Sequence, residues 1–335
     1  MNEKKKVSVI IPTFQRCESV KRLLESFRRQ TFPSSDYEVI ICIDGSNDGT
    51  KEMLEATRAD YDLRWDWSPN SGRSAARNSG IRMALGDVLV FLDDDMELSP
   101  GFLEAHYNSH GHRDRIVILG AAPITVNKDS LPVARYVGTK FNSHIEKLSE
   151  PGYKIKIWDF YSGNFSIRRE NIVEAGLFSE DFVIYGNEDV ELASRLQKSG
   201  IDIIYNPNAL CIQYYEKSFQ ELAKDTIATG KTAVLLYSEH PDTLNKLKLR
   251  EYNHAGWKWR ALRLLLIKCA LLIPKTNDII ISMVDLSEKR KSKYIWKFYD
   301  LSLDYFFWFG AFSEIKENGN YSLLSKIKSC RWRPT

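Results

Sequence analysis

The chain has 335 residues, 43% of them hydrophobic and 27% charged, which supplies a sizeable core and excludes a disordered or fibrous class. Its net charge of +3 is unevenly spread: residues 1–240 carry a net of −6 and residues 241–335 a net of +9, so a mildly acidic body leads into a basic, aromatic-rich tail that either meets an anionic surface or caps the body. Five cysteines, odd in number and far apart at 17, 42, 211, 269 and 330, argue against a disulfide framework and a zinc site, and a reducing compartment fits best. The basic start MNEKKK is followed by an apolar run that Pro12 cuts short, too brief for a signal sequence.

Along the chain, VSVIIPTF (7–14) reads as a strand, and Val20, Leu23, Leu24 and Phe27 after it mark one face of a helix. YEVIICID (37–44) is a second strand closed by a turn rich in Gly, Asn and Asp, with a helix starting near Thr50 and capped by Asp48 or Thr50. A short strand is expected at 63–67, then a loop entering a helix at SGRSAARNSGIRMAL (71–85). VLVFLDDD (88–95) and IVILGAAP (116–123) are two more strands. Residues 124–160 look irregular. A helix spans about 187–199, ended by Gly200, and IDIIY (201–205) is a strand. From about 218 onward the pattern stays helical. Strands alternating with helices predict an α/β fold with a mostly parallel, doubly wound sheet, in which ligands sit beyond the carboxyl ends of the strands.

Two acidic turns, Asp44–Asp48 and Asp93–Asp95, fall at such ends. Three adjacent carboxylates repel one another. Side chains alternate along an extended strand, so Asp93 and Asp95 are expected to point one way and Asp94 the other, leaving two oxygen donors for a hard divalent cation. The stretch HYNSHGH (106–112) has metal-like spacing but reads as a polar surface helix. The segments 261–274 and 294–312 are apolar, yet each carries charged residues, so both look like amphipathic or buried helices rather than membrane spans.

The motifs VSVIIPTFQR, DGSNDGT, SGRSAARNSGI, VLVFLDDDM, SGNFSIRRE, GLFSEDF and GNEDVELASRL, in this order over roughly residues 6–240, resemble the family 2 glycosyltransferases of the GT-A fold. The resemblance implies a catalytic domain over 1–240, with a nucleotide-sugar half at about 1–123 and an acceptor half at about 124–240, followed by a helical extension over 241–335. It implies metal-dependent transfer, with inversion, of a sugar from a nucleotide donor to an acceptor hydroxyl. A UDP-sugar is the expected donor, with dTDP- and GDP-sugars open.

By the same resemblance Asp44 pairs with the base, without the second acid that many relatives carry, since Ile43 stands there. Turn capping is the other reading of Asp44. Pro12, Thr13 and Phe14 line the nucleoside. Gly72, Arg73 and Arg77 lie against the nucleotide, Arg77 being equally suited to a structural salt bridge. Asp95 is the direct ligand of Mn²⁺ or Mg²⁺, Asp93 supports the metal or ribose, and Asp94 contacts the ribose or its surroundings. Ser162, Gly163 and Asn164 lie under the donor sugar, with Trp158 and Tyr161 as stacking candidates. Asp189 is the general base, and Glu188 binds donor or acceptor; helix capping is the competing role for both acids. Where many relatives place a metal-binding His, this chain has Gln213, which puts the coordination set in doubt; Tyr214 or Tyr215 is a substitute. The acceptor is expected to be carbohydrate, lipid-linked or another hydroxyl, in surface polysaccharide or glycoconjugate synthesis. Residues 257–312 are a candidate for peripheral membrane contact from the cytoplasmic side, and no nucleic-acid partner is expected. A non-catalytic nucleotide-sugar-binding homologue is the alternative.

Overall fold

The computed structural model describes residues 5–111, 113–273 and 275–329. They form two compact units: Met1–Lys128, Val137–Val183 and Glu188–Tyr215 make the first, and Asp129–Tyr136, Ile184–Asn187 and Glu216–Thr335 the second.

The first unit is built on eight strands: β1 (Val7–Thr13), β2 (Tyr37–Asp44), β3 (Asp62–Ser68), β4 (Val88–Leu92), β5 (Met96–Leu98), β6 (Ile116–Ala121), β7 (Asn164–Arg168) and β8 (Asp202–Gln213). Their order across the sheet is β3-β2-β1-β4-β7-β6-β8-β5. The pairings of β1 with β2 and β4, of β2 with β3, and of β6 with β8 are parallel. β7 runs antiparallel to both β4 and β6, and β5 antiparallel to β8, so the sheet is mixed. The strands β1, β2 and β4 are buried along their whole length, which is why they read as near-continuous apolar runs. Period-two alternation divides each strand between two cores. Val9, Ile11, Val39, Ile41, Val90 and Leu92 join Leu23 and Phe27 of α1 (Cys17–Phe27) on one face. Ile10, Ile40, Phe91, Phe165 and Ile167 pack on the other. Six further helices complete the set to α7: α2 (Thr50–Ala56), α3 (Arg73–Met83), α4 (Phe102–His110), α5 (Pro132–Leu148, whose residues up to Tyr136 are counted with the second unit), α6 (Arg169–Glu174) and α7 (Glu188–Lys198).

Two local readings change. The stretch expected to be irregular contains α5, which opens on a proline and buries Val133, Ala134, Tyr136, Ile145 and Leu148. Pro at a first helical position is a start signal, and the spacing of those residues is helical. The polar surface helix expected at HYNSHGH is also corrected: His106 and His110 of α4 are buried, at 0% and 1% exposure, because the sheet presents polar atoms to that face. His112 lies outside the described residues.

The second unit is helical: α8 (Phe219–Glu239), α9 (Trp257–Leu272), α10 (Thr276–Lys289), α11 (Ile295–Glu317) and α12 (Tyr321–Ser329). α8 starts on a capping box in which Ser218 and Glu221 each hold the other's backbone N–H. It belongs to this unit. Gly230 of α8 and Gly310 of α11 abut, and a Cβ on either would run into the other helix's backbone carbonyls, at Phe307 and Ile227. The two backbones therefore approach each other too closely for any side chain at the crossing. α11 buries Tyr299, Tyr305, Phe306, Phe307 and Trp308, so the middle of the apolar segment 294–312 is core, while Tyr294, Trp296 and Phe298 at its start are exposed. Among the described residues, no helix is long and apolar enough to cross a membrane.

Candidate active site

The carboxyl ends of β3, β2, β1 and β4 lie side by side. They bring Trp67, Asp44, the loop Phe14–Arg16 and the turn Asp93–Asp95 to one edge. β4 stops at Leu92, so the acids sit in a turn and strand alternation does not govern them. Each carboxylate has its own set of neighbours. Asp93 meets the Arg77 guanidinium at 3.0 Å. Asp94 accepts a hydrogen bond from the Thr13 hydroxyl at 2.7 Å and lies 3.9 Å from Arg16. Asp95 lies 3.7 Å from Arg16 and accepts from the Gln213 side-chain amide at 3.3 Å on both oxygens. Asp94 and Asp95 thus share the Arg16 guanidinium, whereas Asp93 faces Arg77. Burial pushes the Asp94 carboxyl up to about 7, Arg16 draws it down and Asp95 pushes it up.

The start of β7 closes this turn from the side. Leu92 is paired with Asn164, and the Asp93 N–H donates to the Gly163 carbonyl. A Cβ on Gly163 would lie 2.8 Å from an Asp93 carboxylate oxygen, so only glycine lets the acid settle here. Ser162 beside it is buried. Asn164, expected under the donor sugar, is 0% exposed and its side chain is fully engaged. Its amide nitrogen donates to the Ala121 and Ala209 carbonyls, and its oxygen faces His106 Nε2 at 2.9 Å.

That arrangement fixes the protons. His106 must carry hydrogen on Nε2 to serve the Asn164 oxygen, so its Nδ1 accepts from the Ser166 hydroxyl at 2.8 Å. The Ser166 oxygen then accepts from His110 Nε2 at 2.9 Å. Burial holds both rings neutral, His106 down to about 4 and His110 down to about 3. The chain His110→Ser166→His106→Asn164 thus runs in one direction, each group donating to the next, and braces the strand beneath Gly163. Asn164 is corrected from sugar contact to support.

Arg77 also changes part. Its guanidinium is 0% exposed, 3.0 Å from Asp93 and 3.5 Å from Glu188, and it lies 5.3 Å over the Phe178 ring. This is the salt-bridge alternative, and it leaves no face for a phosphate. Arg73, the first residue of α3, is exposed beside buried Gly72. Asp44 accepts the backbone N–H groups of Ser71 and Gly72 at 2.7 and 3.0 Å, fixing the entry to α3. A carboxylate has about four acceptor positions, so two remain. Asp48 holds the Thr50 N–H and hydroxyl and the Cys17 N–H, as a turn and cap residue does.

Glu188 and Asp189 stand in the first turn of α7, and Asp189 accepts from the Val190 N–H at 2.8 Å. Burial and the neighbouring Glu188 charge raise the Asp189 carboxyl above its ordinary value. Of the remaining candidates, Pro12 is buried within β1, Phe14 is 49% exposed and Trp158 48% exposed, and the Tyr161 hydroxyl donates to the Gly120 carbonyl. The Tyr214 hydroxyl is turned to Glu97, 2.5 Å away, rather than to Asp95.

Two residues were missed. Arg16 is the cation nearest Asp94 and Asp95, and its signal was simply a guanidinium three residues past the end of β1. Trp67, 43% exposed with its indole N–H on the Ser46 carbonyl, ends β3 on the far side of Asp44 from Phe14. An exposed tryptophan closing a parallel strand marks that edge.

The model of glycosyl transferase family 2 matches residues 8–176, half of the chain, and one described as the N-terminal domain of galactosyltransferase matches 143–218. An uncharacterised glycosyltransferase of Bacillus subtilis is 30% identical over 241 residues, covering 58% of this chain and 61% of that protein. The GalNAc(5)-diNAcBac-PP-undecaprenol beta-1,3-glucosyltransferase of Campylobacter jejuni is 30% identical over 187 residues, covering 55% and 57%. The chain thus spans about three fifths of the length of these relatives. The mannosyltransferase of Pyrobaculum calidifontis, solved with GDP-Man and Mn²⁺, superposes with a TM-score of 0.61 at 16% identity, over 94% of this chain and 88% of that one, and shares the GT-A fold.

Proposed function

The chain belongs to glycosyl transferase family 2, and on that premise we propose that it moves a sugar from a nucleotide-sugar donor to an acceptor hydroxyl with inversion at the anomeric carbon. One observation carries the reading: a single buried guanidinium, Arg77, holds Asp93 of the β4 turn and Glu188 of the α7 start together. Donor and acceptor chemistry need adjacent acids of these two kinds.

In this reading the base lies between Phe14 and Trp67, with Asp44 accepting its imino hydrogen, and a UDP-sugar is the preferred donor. Arg73 and the N–H groups at the start of α3 suit phosphate oxygens. The turn fits a divalent cation. Its donors are hard carboxylate oxygens, two of its acids are buried, and Arg16 answers them only loosely at 3.7–3.9 Å. Asp95 and Asp93 would hold Mn²⁺ or Mg²⁺, and Gln213, a weak donor, would at most orient Asp95. Bound there, the ion supplies Lewis-acid stabilisation of the leaving nucleoside diphosphate. Asp189 takes the acceptor proton. The acceptor oxygen bonds to the anomeric carbon as that carbon's bond to the phosphate oxygen breaks, and the nucleoside diphosphate departs with the electron pair. A raised carboxyl keeps Asp189 a stronger base than an ordinary aspartate once it is ionised. A carbohydrate or lipid-linked hydroxyl suits the acceptor side, and the Campylobacter jejuni relative is named for a lipid-linked one.

The test is thermal-shift or calorimetric binding of UDP, dTDP, GDP and CDP, each with Mn²⁺ and with EDTA. One nucleotide binding tightly and only with metal supports the site. Binding that ignores metal moves the weight to Arg73 and Arg16, and no binding sinks the reading. Turnover then separates an enzyme from a non-catalytic homologue, because only an enzyme loses it in Asp189→Asn while keeping donor affinity.

A further inference from the structure

α9 is amphipathic in the opposite sense to an ordinary surface helix. Its inward side carries Arg263, 1% exposed, whose guanidinium lies 2.7 Å from Asp304 of α11 and donates to the Tyr252 carbonyl at 2.9 Å. The Trp259 indole N–H reaches the same Asp304 carboxylate at 2.8 Å. Its outward side carries leucine: Leu262 is 47% exposed, Leu265 57% and Leu272 81%. At 100° per residue these three share one stripe, opposite buried Arg263, Ile267 and Ala270.

α10, packed beside α9, repeats the pattern. Ile281 and Val284 are buried, while Ile279, Met283 and Leu286 lie on the opposite side at 57%, 64% and 47% exposure. Six large aliphatic side chains on two adjacent helices are a continuing cost in water and need a cover.

Charge says which cover. Residues 257–293 hold nine Lys and Arg and three Asp and Glu. Lys258 and Lys268 lie on the exposed side of α9, Lys275 at the turn, and Lys289 and Arg290 at the end of α10, all exposed. A second copy of the chain would set these cations against themselves. A bilayer with anionic headgroups takes apolar side chains between its headgroups and attracts the surrounding cations.

We propose that the outward faces of α9 and α10 dock on an anionic lipid bilayer, lying in the plane of its interface. This narrows the stretch 257–312 to about 257–290 and does not depend on the sugar-transfer reading.

The experiment is flotation of the full chain with vesicles of phosphatidylcholine alone and with added phosphatidylglycerol. The protein is expected to float with the anionic vesicles and to do so less as salt rises. A Leu262→Ser, Leu265→Ser, Met283→Ser variant, checked for an unchanged melting temperature, should bind at least about tenfold more weakly. A Lys268→Gln, Lys275→Gln, Lys289→Gln variant should lose about a hundredfold on anionic vesicles alone. Wild type that fails to float, or a serine variant that floats as well as wild type, overturns the proposal. So does a serine variant that turns a dimer into a monomer with no change in flotation, which would make the stripe a contact between copies.

Discussion

In the first unit Arg77, Glu188, Asn164, His106 and His110 are polar and buried. In the second, Leu262, Leu265, Leu272, Ile279, Met283 and Leu286 are apolar and exposed. Each set runs against the ordinary sorting of residues by burial. Buried polar groups are costly unless answered, and in the first unit the answers are specific: guanidinium to two carboxylates, imidazole to hydroxyl to imidazole to amide. Exposed aliphatic groups are costly until something covers them, and no local hydrogen bond can provide that. The difference teaches what each unit completes by itself: the first answers its exceptions within the fold, and the described residues of the second leave its exceptions uncovered.

Substitutions can break or sharpen this contrast. The largest effect is expected on turnover: Asp189→Asn should lower kcat by about 10²–10⁴-fold with donor affinity retained, read by steady-state kinetics beside nucleotide binding. Arg77→Ala comes next. It leaves Asp93 and Glu188 without their shared cation and should cost about 3–5 kcal/mol in urea unfolding. Arg77→Lys should recover only part, since one ammonium cannot span two carboxylates as a planar fork does. The third test is pH. A carboxyl raised from the usual range to about 7 adds stability that is present below about pH 4 and is lost as pH rises through about 7. Without metal, wild type should therefore lose at most about 4 kcal/mol relative to Asp94→Asn between pH 4 and pH 8. Added Mn²⁺ should shrink that loss. His106→Leu should cost about 1–3 kcal/mol by leaving the Asn164 oxygen and Ser166 unserved in the core. The smallest effect belongs to the other unit: Leu265→Gln should change stability by less than about 0.5 kcal/mol, because nothing in the fold leans on it. A large loss there would erase the contrast.

The edge that carries the site was legible in the sequence. Near-continuous apolar runs ending in Asp44 and in Asp93–Asp95 put two acidic turns at strand ends, and the motif series set their order. What stayed hidden was each acid's neighbour. Arg77, sixteen residues before Asp93, and Glu188, far beyond it, meet only through packing, so whether Arg77 faced phosphate or carboxylate had no local signal. The histidines misled for a related reason. HYNSHGH is polar by composition, and only the Ser166 and Asn164 side chains of β7 make the buried side of α4 polar as well. The helix at 132–148 was missed although Pro132 and the spacing of Val133, Ile145 and Leu148 announced it. In the tail, hydropathy alone could not tell a stripe turned inward from one turned outward. α9 and α11 are both apolar and charged, and only the tertiary contacts of Asp304 show that Arg263 is inside.

The Arg77 strut has a consequence for anyone recombining these enzymes. Its two anchors lie far apart along the chain, at 93 and at 188. A chimera cut near residue 123 would join one chain's guanidinium and turn to another chain's helix start. Such a hybrid inherits a working junction only when the incoming helix brings an acid to that spot, so compatibility of parts can be screened at three positions before any gene is assembled.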